Sequence, residues 1–194
     1  MKKLSNALLF IGLALLIFVG YQIYEYKLSE KQAMQEVRQT INTHKSNESI
    51  DVITNNYQVN KGEAFAFLRI PSIGLELPVV EGTDNETLKK GVGHHHSTWF
   101  PGEGNQVFLA GHNDSAFKNV GNVKNGDVLE VEMPYGTFSY EMKKSDIVLA
   151  TNTSVIGNMD EETLVLSTCY PFHALTDTPE RYLLYAELKN IKIK

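Results

Sequence analysis

The N-terminal part of the chain carries its longest apolar pattern. Residues 4–23 form an almost unbroken apolar run, and about 20 such residues are enough for a helix to cross a bilayer. Lys2 and Lys3 precede the run, and positive charge favours the cytoplasmic side of a membrane. We therefore predict a transmembrane segment at residues 4–26, a cytoplasmic N-terminus at residues 1–3 and an extracytoplasmic remainder.

A cleaved signal peptide is the alternative to a retained anchor. The run is longer than the roughly 7 to 15 apolar residues of a signal-peptide core. Residues 21–24 also lack the small side chains of a cleavage site. The sequence therefore favours a single-pass protein that an uncleaved helix holds in the cell membrane.

Two polar segments separate this run from the rest of the chain. In residues 27–40 and just beyond, apolar side chains recur at helical spacing, at Ala33, Met34, Val37 and Ile41. Residues 42–62 are rich in Asn, Ser and Thr without periodicity, as is typical of a solvated spacer. We predict a stalk helix and a linker within residues 27–62 and one folded domain at residues 63–194.

From residue 63 onward the pattern changes to short segments rich in β-branched and aromatic residues. A hairpin turn is predicted at residues 134–136, a short helix capped by Thr83 and Glu86, and another helical turn at residues 113–121. Many short strands and few helices predict a β-sandwich or a closed β-barrel. The predicted strands are residues 64–70, 107–110, 128–133, 137–142, 147–150, 164–168 and 182–188.

Composition and charge narrow the function classes. The chain has 194 residues and is 42% hydrophobic, which suffices for one domain with a core. Its formal net charge is -5 and it has no block of lysines and arginines, so we expect no nucleic-acid partner. Cys169 is the single cysteine, which excludes a disulfide within the chain.

Cys169 stands at the end of an apolar segment, residues 163–169. Tyr170 and Pro171 follow it, and the proline indicates that the chain leaves the sheet there. A lone cysteine is often only a buried apolar residue. A thiol at the end of a strand, however, can contact a base and a substrate together, so we treat Cys169 as a candidate nucleophile.

His112 occupies a similar position at the end of residues 106–111. A thiol nucleophile needs a group that exchanges protons near neutral pH, and histidine has the suitable pKa. Gly111 precedes this histidine and permits a close approach of the backbone. The alternative is a strand-end histidine that forms only a local hydrogen bond.

Arg181 is the arginine best placed to stabilise negative charge near the thiol. A guanidinium can donate hydrogen bonds to the oxyanion of a tetrahedral intermediate. Arg38 falls in the stalk and Arg69 in the first predicted strand, whereas Arg181 follows the cysteine by twelve residues. The alternative is a surface ion pair with Asp177 or Glu180.

The order of these three residues and the motifs around them resemble one family. A strand-Gly-His segment, a strand-Thr-Cys segment and an arginine at a strand start follow one another. Over residues 63–188 the chain resembles the sortases, and most of all their class D. The matching motifs are Gly91-Val-Gly-His94, Pro101-Gly-Glu-Gly-Asn105, Leu109-Ala-Gly-His112, Gly126-Asp127, Thr163-Leu-Val-Leu-Ser-Thr-Cys169-Tyr-Pro-Phe172 and Arg181-Tyr182.

The resemblance implies a fold and an activity. The fold is an eight-stranded closed β-barrel with short helices, mostly β, preceded by one transmembrane helix. The activity is transpeptidation on the outer face of a Gram-positive membrane. Cys169 would attack the Thr carbonyl of a Leu-Pro-x-Thr-Gly/Ala sorting signal, and an amine would resolve the thioacyl enzyme. His112 is implied as acid and base, and Arg181 as the oxyanion donor.

The same resemblance implies the partners. The substrates are surface proteins with a C-terminal sorting signal, and the acceptor is an amine of a peptidoglycan precursor or cross-bridge. Ser167 and Thr168 are expected beside the substrate peptide, with His94 as a further substrate-side residue. The chain departs from the family pattern at Asn113, because relatives often carry arginine after the histidine that corresponds to His112.

The histidine run at residues 94–96 raises the question of a metal site. Neighbours on an extended segment point in alternating directions, and no carboxylate lies at ligand spacing. We therefore expect no metal at the histidine run and no other cofactor. Calcium stays open, because Glu81, Asp84 and Glu103 are acidic loop residues without an EF-hand pattern.

Two other functions stay open. An extracytoplasmic cysteine peptidase would use the same residues, but water would resolve its acyl enzyme. An added amine therefore separates it from a transpeptidase. A non-enzymatic anchored binding module would bury Cys169, so that its thiol would resist alkylation in the native state.

Overall fold

The computed structural model describes residues 2–43, 57–172 and 178–194, so most of the predicted linker lies outside it. One long helix, α1 (Lys2–Thr43), precedes the strands, and a short helix, α2 (Asn85–Leu88), follows the second of them. The strands are β1 (Ala64–Ile70), β2 (Leu75–Glu81), β3 (Val92–His94), β4 (Gln106–Ala110), β5 (Val128–Met133), β6 (Gly136–Leu149), β7 (Thr163–Tyr170) and β8 (Glu180–Ile193). Single 3-10 turns occur at Pro71–Ile73, Val120–Asn122 and Thr153–Val155.

The strands form one closed barrel in the order β1-β2-β3-β4-β7-β8-β6-β5, which confirms the predicted fold. The pairs β2/β3 and β4/β7 are parallel, and the other neighbouring pairs are antiparallel. Because β4 and β7 run in the same direction, their C-terminal ends meet at one end of the barrel. The segments that carry His112 and Cys169 leave the sheet at that end.

Alternating side chains fill the barrel. Along the first half of β6, for example, every second residue is buried, as expected when one face of a strand meets a core. Each fully buried large apolar side chain stabilises the fold by about 1.5–3 kcal/mol. The large side chains of this core include Leu68, Leu109, Leu129, Phe138 and Leu166.

The strand prediction missed β2 and β3. β2 contains Pro78, and a proline usually argues against a strand, but here it pairs with Phe67 of β1. β3 has only three residues, too few to show a period. The segments predicted at residues 137–142 and 147–150 are parts of one strand, β6.

The predicted cap of the short helix was wrong by one residue. Asp84, and not Thr83, is the N-cap of α2, because its carboxylate accepts hydrogen bonds from the backbone N–H groups of Glu86 and Thr87 at 3.1 and 3.2 Å. The helical turn predicted at residues 113–121 consists of turns that end in the 3-10 turn beginning at residue 120.

The C-terminal half of α1 packs against the outside of the barrel. Ala33 and Val37 are buried against Ala64, Phe67 and Val80. Both belong to the set that recurs at helical spacing, so the apolar stripe of the stalk helix covers β1 and β2. The stalk therefore lies on the barrel surface.

The N-terminal half of α1 has a different environment. Its large apolar side chains are exposed, for example Leu16 at 72%. Within the described ranges, α1 is the one helix whose length and composition allow it to cross a membrane. This half matches the apolar run from which an anchor is predicted.

Candidate active site

Strands β7 and β8 bring Cys169 and Arg181 into register. In this antiparallel pair the two residues lie directly opposite each other, and neighbouring strands are about 4.8 Å apart. The chain leaves the sheet after Tyr170 and re-enters it at Glu180. The connection thus makes neighbours of two residues that are distant in sequence.

Strand β4 brings His112 to the other side of Cys169. β4 runs parallel to β7 with Ala110 opposite Ser167. The N–H of Gly111 donates to the carbonyl of Ser167 at 3.0 Å. Continued by two residues, this register places His112 beside Cys169. The thiol therefore lies between the end of β4 and the start of β8.

Gly111 allows the chain to pack closely just before His112. A Cβ atom at position 111 would lie 2.8 Å from the ring of Phe117, which is fully buried. Such a distance is too short for a carbon–carbon contact in a packed core. The N–H of Phe117 also donates to the carbonyl of His112 at 2.8 Å. Phe117 therefore fixes the backbone that carries the histidine.

Thr168 links the end of β4 to β7 by a hydrogen bond on the inner face of the barrel. Its hydroxyl donates to the carbonyl of Gly111 at 2.7 Å, and the residue is 3% exposed. Because side chains alternate along a strand, Ser167 and Cys169 share one face of β7 and Thr168 lies on the other. The structure thus brings Ser167 to the site, whereas Thr168 holds β4 against β7 and its expected contact with substrate gains no support.

The guanidinium of Arg181 is oriented by backbone carbonyls. Its Nη1 donates to the carbonyls of Thr178 and Glu180 at 3.0 and 2.9 Å. A guanidinium has five N–H donors, so others stay available for a substrate oxygen. Within residues 2–43, 57–172 and 178–194, Arg181 forms no ion pair. Asp177, one partner considered from the sequence, lies outside these ranges.

An apolar groove of about 170 Å³, which we call the outer groove, lies over the outer face of β4, β7 and β8. Ser167 and Arg181 are polar residues of its lining. Residues two apart share a face of a strand, so His112 continues the row of Ala110, and Cys169 that of Ser167. The outer groove therefore leads to the candidate site. Its apolar lining includes Phe108, Val148, Val155, Ile156 and Leu183.

Asn113 links the segments that follow β4 and β7. Its side chain is buried, and Nδ2 donates to the carbonyl of Pro171 at 3.2 Å. Phe172 packs so closely on Gly121 that a Cβ atom there would lie 2.6 Å from its ring. The amide at position 113, where the family pattern often has arginine, therefore holds the start of the loop that follows Cys169.

His94 lies apart from this group, inside the barrel. It is 1% exposed, with Nδ1 at 2.6 Å from the Glu81 carboxylate and Nε2 at 3.1 Å from the carbonyl of Trp99. Its ring stacks on Phe100 at a centroid distance of 4.7 Å. Both ring nitrogens already have partners, so the geometry gives no support to a contact between His94 and substrate.

Side chains of the loop between β3 and β4 form contacts within that loop. The described parts of the chain contain no group of three or more His, Cys, Asp or Glu side chains that could hold a metal. His95 stacks on His96 at 5.0 Å. Glu103 accepts the N–H of Phe100 at 2.6 Å, and burial raises the pKa of its carboxyl. These side chains stabilise the loop between β3 and β4.

Sequence reasoning missed the buried carboxylate of Glu162. It accepts the N–H groups of Gly102 and Gly104, each at 3.0 Å, and the hydroxyl of Tyr140 at 2.6 Å. Burial raises the pKa of the Tyr140 hydroxyl well above its ordinary value, so the tyrosine stays a donor. Glu162 thus anchors the loop before β4 at the start of β7. A glutamate next to an apolar strand was the only sequence signal.

Comparison with known sequences identifies the family of the chain. A model of the Sortase domain matches residues 68–189. Sortase D of Bacillus subtilis (strain 168) is 35% identical over 183 residues, which are 91% of this chain and 92% of that protein. Sortase A of Bacillus anthracis is 24% identical over 185 residues, 90% of this chain and 86% of that protein.

Comparison with solved structures gives the same result. The fold of a Clostridium perfringens sortase D5 transpeptidase superposes with a TM-score of 0.71 at 24% identity, over 84% of this chain and 99% of that one. The catalytic domain of B. anthracis SrtD superposes with a TM-score of 0.61 at 34% identity, over 78% and 99%. The chain belongs to the sortase family, which is a family of cysteine transpeptidases.

Proposed function

We propose that this sortase is anchored in the membrane and uses Cys169 as nucleophile, His112 as acid and base, and Arg181 as oxyanion donor. The observation that carries the proposal is the strand register. It sets Cys169 opposite Arg181 and beside the end of β4, where His112 follows. Each proposed partner of the thiol belongs to a different neighbour of β7 or to the segment that follows it, which supports the proposal.

The first half-reaction would form a thioester. The Cys169 thiolate attacks the Thr carbonyl carbon of a Leu-Pro-x-Thr-Gly or Leu-Pro-x-Thr-Ala signal. Arg181 donates hydrogen bonds to the oxyanion of the tetrahedral intermediate. His112 gives a proton to the leaving amine as the C–N bond breaks. The Thr carbonyl is then bound to the sulfur, and the C-terminal fragment leaves.

The second half-reaction would transfer the acyl group. An acceptor amine attacks the thioester carbonyl, and His112 takes a proton from the attacking nitrogen. A new C–N bond forms, the C–S bond breaks, and Cys169 returns as a thiolate. One site can thereby exchange one amine for another through a covalent intermediate.

The outer groove suits the apolar part of such a signal. Val155 and Ile156 supply apolar surface at one wall, and Ser167 lies on the same face of β7 as the thiol. We assign this groove to the Leu-Pro side chains and Ser167 to the peptide backbone. Burial of each apolar side chain would contribute about 1.5–3 kcal/mol to binding.

We further propose that α1 anchors the enzyme, with residues 1–3 in the cytoplasm and residues 4–26 in the bilayer. Residues 27–62 form the stalk and linker, and residues 63–194 the catalytic domain on the outer face. The exposed apolar side chains of α1 and the lysines that precede them support this orientation. The partners would then be secreted surface proteins and a peptidoglycan amine.

The test is product analysis with the full chain in detergent micelles. Peptides ending in Leu-Pro-x-Thr-Gly or Leu-Pro-x-Thr-Ala are incubated with and without an added amine, and protein and products are weighed by mass spectrometry. Cys169→Ala serves as the blank. We expect an acyl adduct on Cys169 and a ligated product in the presence of amine. If the peptide is cleaved and the added amine does not change the products, the protein is a hydrolase. Absence of any adduct would refute the proposal.

A further inference from the structure

A second groove, which we call the α1 groove, lies between α1 and the segment that follows β4. Its volume is about 630 Å³. α1 lines one side with residues between Tyr21 and Ser29. The barrel lines the other side, with His112, Asp114 and Ser115 among its residues. A candidate catalytic residue therefore faces a cavity whose other wall is the helix assigned to the membrane anchor.

The two grooves are lined by different residues of the candidate site. The outer groove is lined by Ser167 and Arg181, and the α1 groove by His112, with no lining residue in common. Strand β7 has β8 on one side and β4 on the other. Acyl transfer through a thioester keeps the acyl group bound while one amine replaces another. The incoming amine therefore needs a route that the bound acyl group does not occupy, and the α1 groove provides one.

The position of His112 indicates which groove the amine uses. The same imidazole would protonate the leaving amine and deprotonate the incoming one, so both nitrogens must approach it to about 3 Å. The leaving and the incoming amine therefore occupy the same side of the thioester. Of the two grooves, the α1 groove is the one that His112 lines.

The charges of the α1 groove suit a cationic group. Glu86 is paired with Lys89 at 2.7 Å. Glu25 and Asp114, which also line the groove, form no ion pair with any side chain in the described part of the chain. Lys27 is the remaining cation of the lining. Among the charged Lys, Asp and Glu side chains of the groove that form no ion pair in the described part of the chain, two are carboxylates and one is an ammonium group.

The groove also lies where α1 would leave the bilayer. Tyr21, Tyr24 and Tyr26 lie at the C-terminal end of the segment proposed for the bilayer, residues 4–26, and tyrosines concentrate at the interface between membrane and water. Tyr26 lines the groove together with Asp114 and Ser115 of the barrel. With α1 as the anchor, the α1 groove opens at the membrane surface.

We propose that the α1 groove binds the acceptor substrate, a primary ammonium group of a molecule held at the membrane surface. This inference rests on the proposed transpeptidase function and adds the binding site of the acceptor. Glu25 and Asp114 attract the ammonium group, which loses one proton to solvent before it attacks. The amine forms the C–N bond at the thioester carbonyl, passes a second proton to His112 and displaces Cys169 as a thiolate.

The first test measures how the acyl enzyme of the full chain divides between an amine and water. The cationic probe is triglycine amide, and hydroxylamine, neutral at pH 7, is the uncharged probe. The ratio of ligated to hydrolysed product is independent of the rate at which the acyl enzyme forms. The variants are Glu25→Gln, Asp114→Asn and Lys27→Gln. Glu161→Gln is the control, because it removes an exposed carboxylate at the other end of β7.

We expect Glu25→Gln and Asp114→Asn each to lower the ratio for triglycine amide about two- to fivefold, the effect of one exposed charge. Lys27→Gln should raise it by a similar factor, and Glu161→Gln should leave it unchanged. Hydroxylamine should respond to none of them. Equal ratios in all variants, or equal changes for both probes, would overturn the assignment. Absence of any acyl adduct in the unaltered chain would instead overturn the proposed function itself.

The second test addresses the membrane surface. The full chain is placed in phosphatidylcholine vesicles with triglycine amide, either free or attached to a phospholipid, at equal total concentration. The tethered amine should yield more ligated product, because both reactants then share one surface. Asp114→Asn should lower the yield from the tethered amine relative to Glu161→Gln. Equal yields from free and tethered amine would overturn the membrane-held acceptor.

Discussion

Replacing Thr168 by Val should destabilise the fold around the candidate site, because it removes a buried hydrogen bond. Valine keeps the branched shape but removes the hydroxyl that donates to the carbonyl of Gly111 at 2.7 Å. That carbonyl would be left in a buried position without this donor. The cost of an unsatisfied buried acceptor is about 1–3 kcal/mol. Because Gly111 directly precedes His112, the loss also falls on the backbone that positions the imidazole.

Both consequences can be measured on the full chain in detergent. For a chain of this size, about 2–4 °C of melting temperature correspond to each kcal/mol, so we expect a decrease of roughly 2–12 °C. Trp99 is the single tryptophan, and its fluorescence reports unfolding of the barrel. The rate of acylation should fall about tenfold or more, because a small displacement of a catalytic group has a large effect on rate.

Thr163→Val is the matched control on the same strand. Its hydroxyl donates to the carbonyl of Glu161 at 3.1 Å in an exposed position, so its loss should cost less than about 0.5 kcal/mol. If Thr168→Val melted and acylated like the unaltered chain, the assigned role of the Thr168 hydroxyl would be wrong. An equal decrease in both variants would point to a general effect of valine in β7.

Three further predictions concern packing, pH and the outer groove. Gly111→Ala should destabilise the fold by about 1–3 kcal/mol, because its Cβ would lie 2.8 Å from Phe117; Gly157→Ala, with open space around its Cβ, should leave the melting temperature unchanged. Burial raises the pKa of the Glu132 carboxyl, but hydrogen bonds from a lysine and an arginine outweigh it and lower the pKa. The resulting stability is present above the ordinary pKa of 4.5 and is lost as the pH falls below it. Glu132→Gln should therefore weaken the dependence of the melting temperature on pH in this acidic range. An unchanged dependence would contradict the stabilising contacts of the Glu132 carboxylate with the lysine and the arginine. Ile156→Asn should raise the KM for a Leu-Pro-x-Thr peptide about tenfold with little change in kcat, and an unchanged KM would remove the outer groove from substrate binding.

The sequence predicted the barrel where the strands show a clear pattern. β1 and β5 were predicted with their observed bounds, because each is a short run rich in β-branched or aromatic residues between turn signals. β2 was missed because Pro78 lies in it, and its hydrogen bonding depends on which strands flank it. Such pairing is a property of the closed sheet and has no local signal.

The candidate site residues could be selected from the sequence one at a time, but their arrangement could not be predicted. His112, Cys169 and Arg181 each stand at the end or start of an apolar segment, which the sequence shows. Their proximity follows from β4 pairing with β7 across β5 and β6 in sequence, a long-range contact that no spacing reveals. The face on which Ser167 and Thr168 lie follows from the same pairing.

The sequence also predicted only part of the packing of α1. The apolar spacing of Ala33 and Val37 predicted an amphipathic helix, and the structure supplies its partner on β1 and β2. Because this contact fixes the direction of α1, it also places Tyr26 beside Asp114 and creates the α1 groove. A groove between distant segments depends on their relative placement, which the sequence does not contain.

Single-turnover acylation tests most directly whether Cys169, His112 and Arg181 act as one site. The full chain in detergent is mixed with a Leu-Pro-x-Thr peptide, and the mass of the protein is followed with time. We predict that His112→Ala and Arg181→Ala each slow the adduct by about 10³-fold or more, and that the double variant loses far less than the product of the two factors. His96→Ala and Arg38→Ala should acylate normally. Acylation of His112→Ala or Arg181→Ala at the rate of these controls would contradict the account.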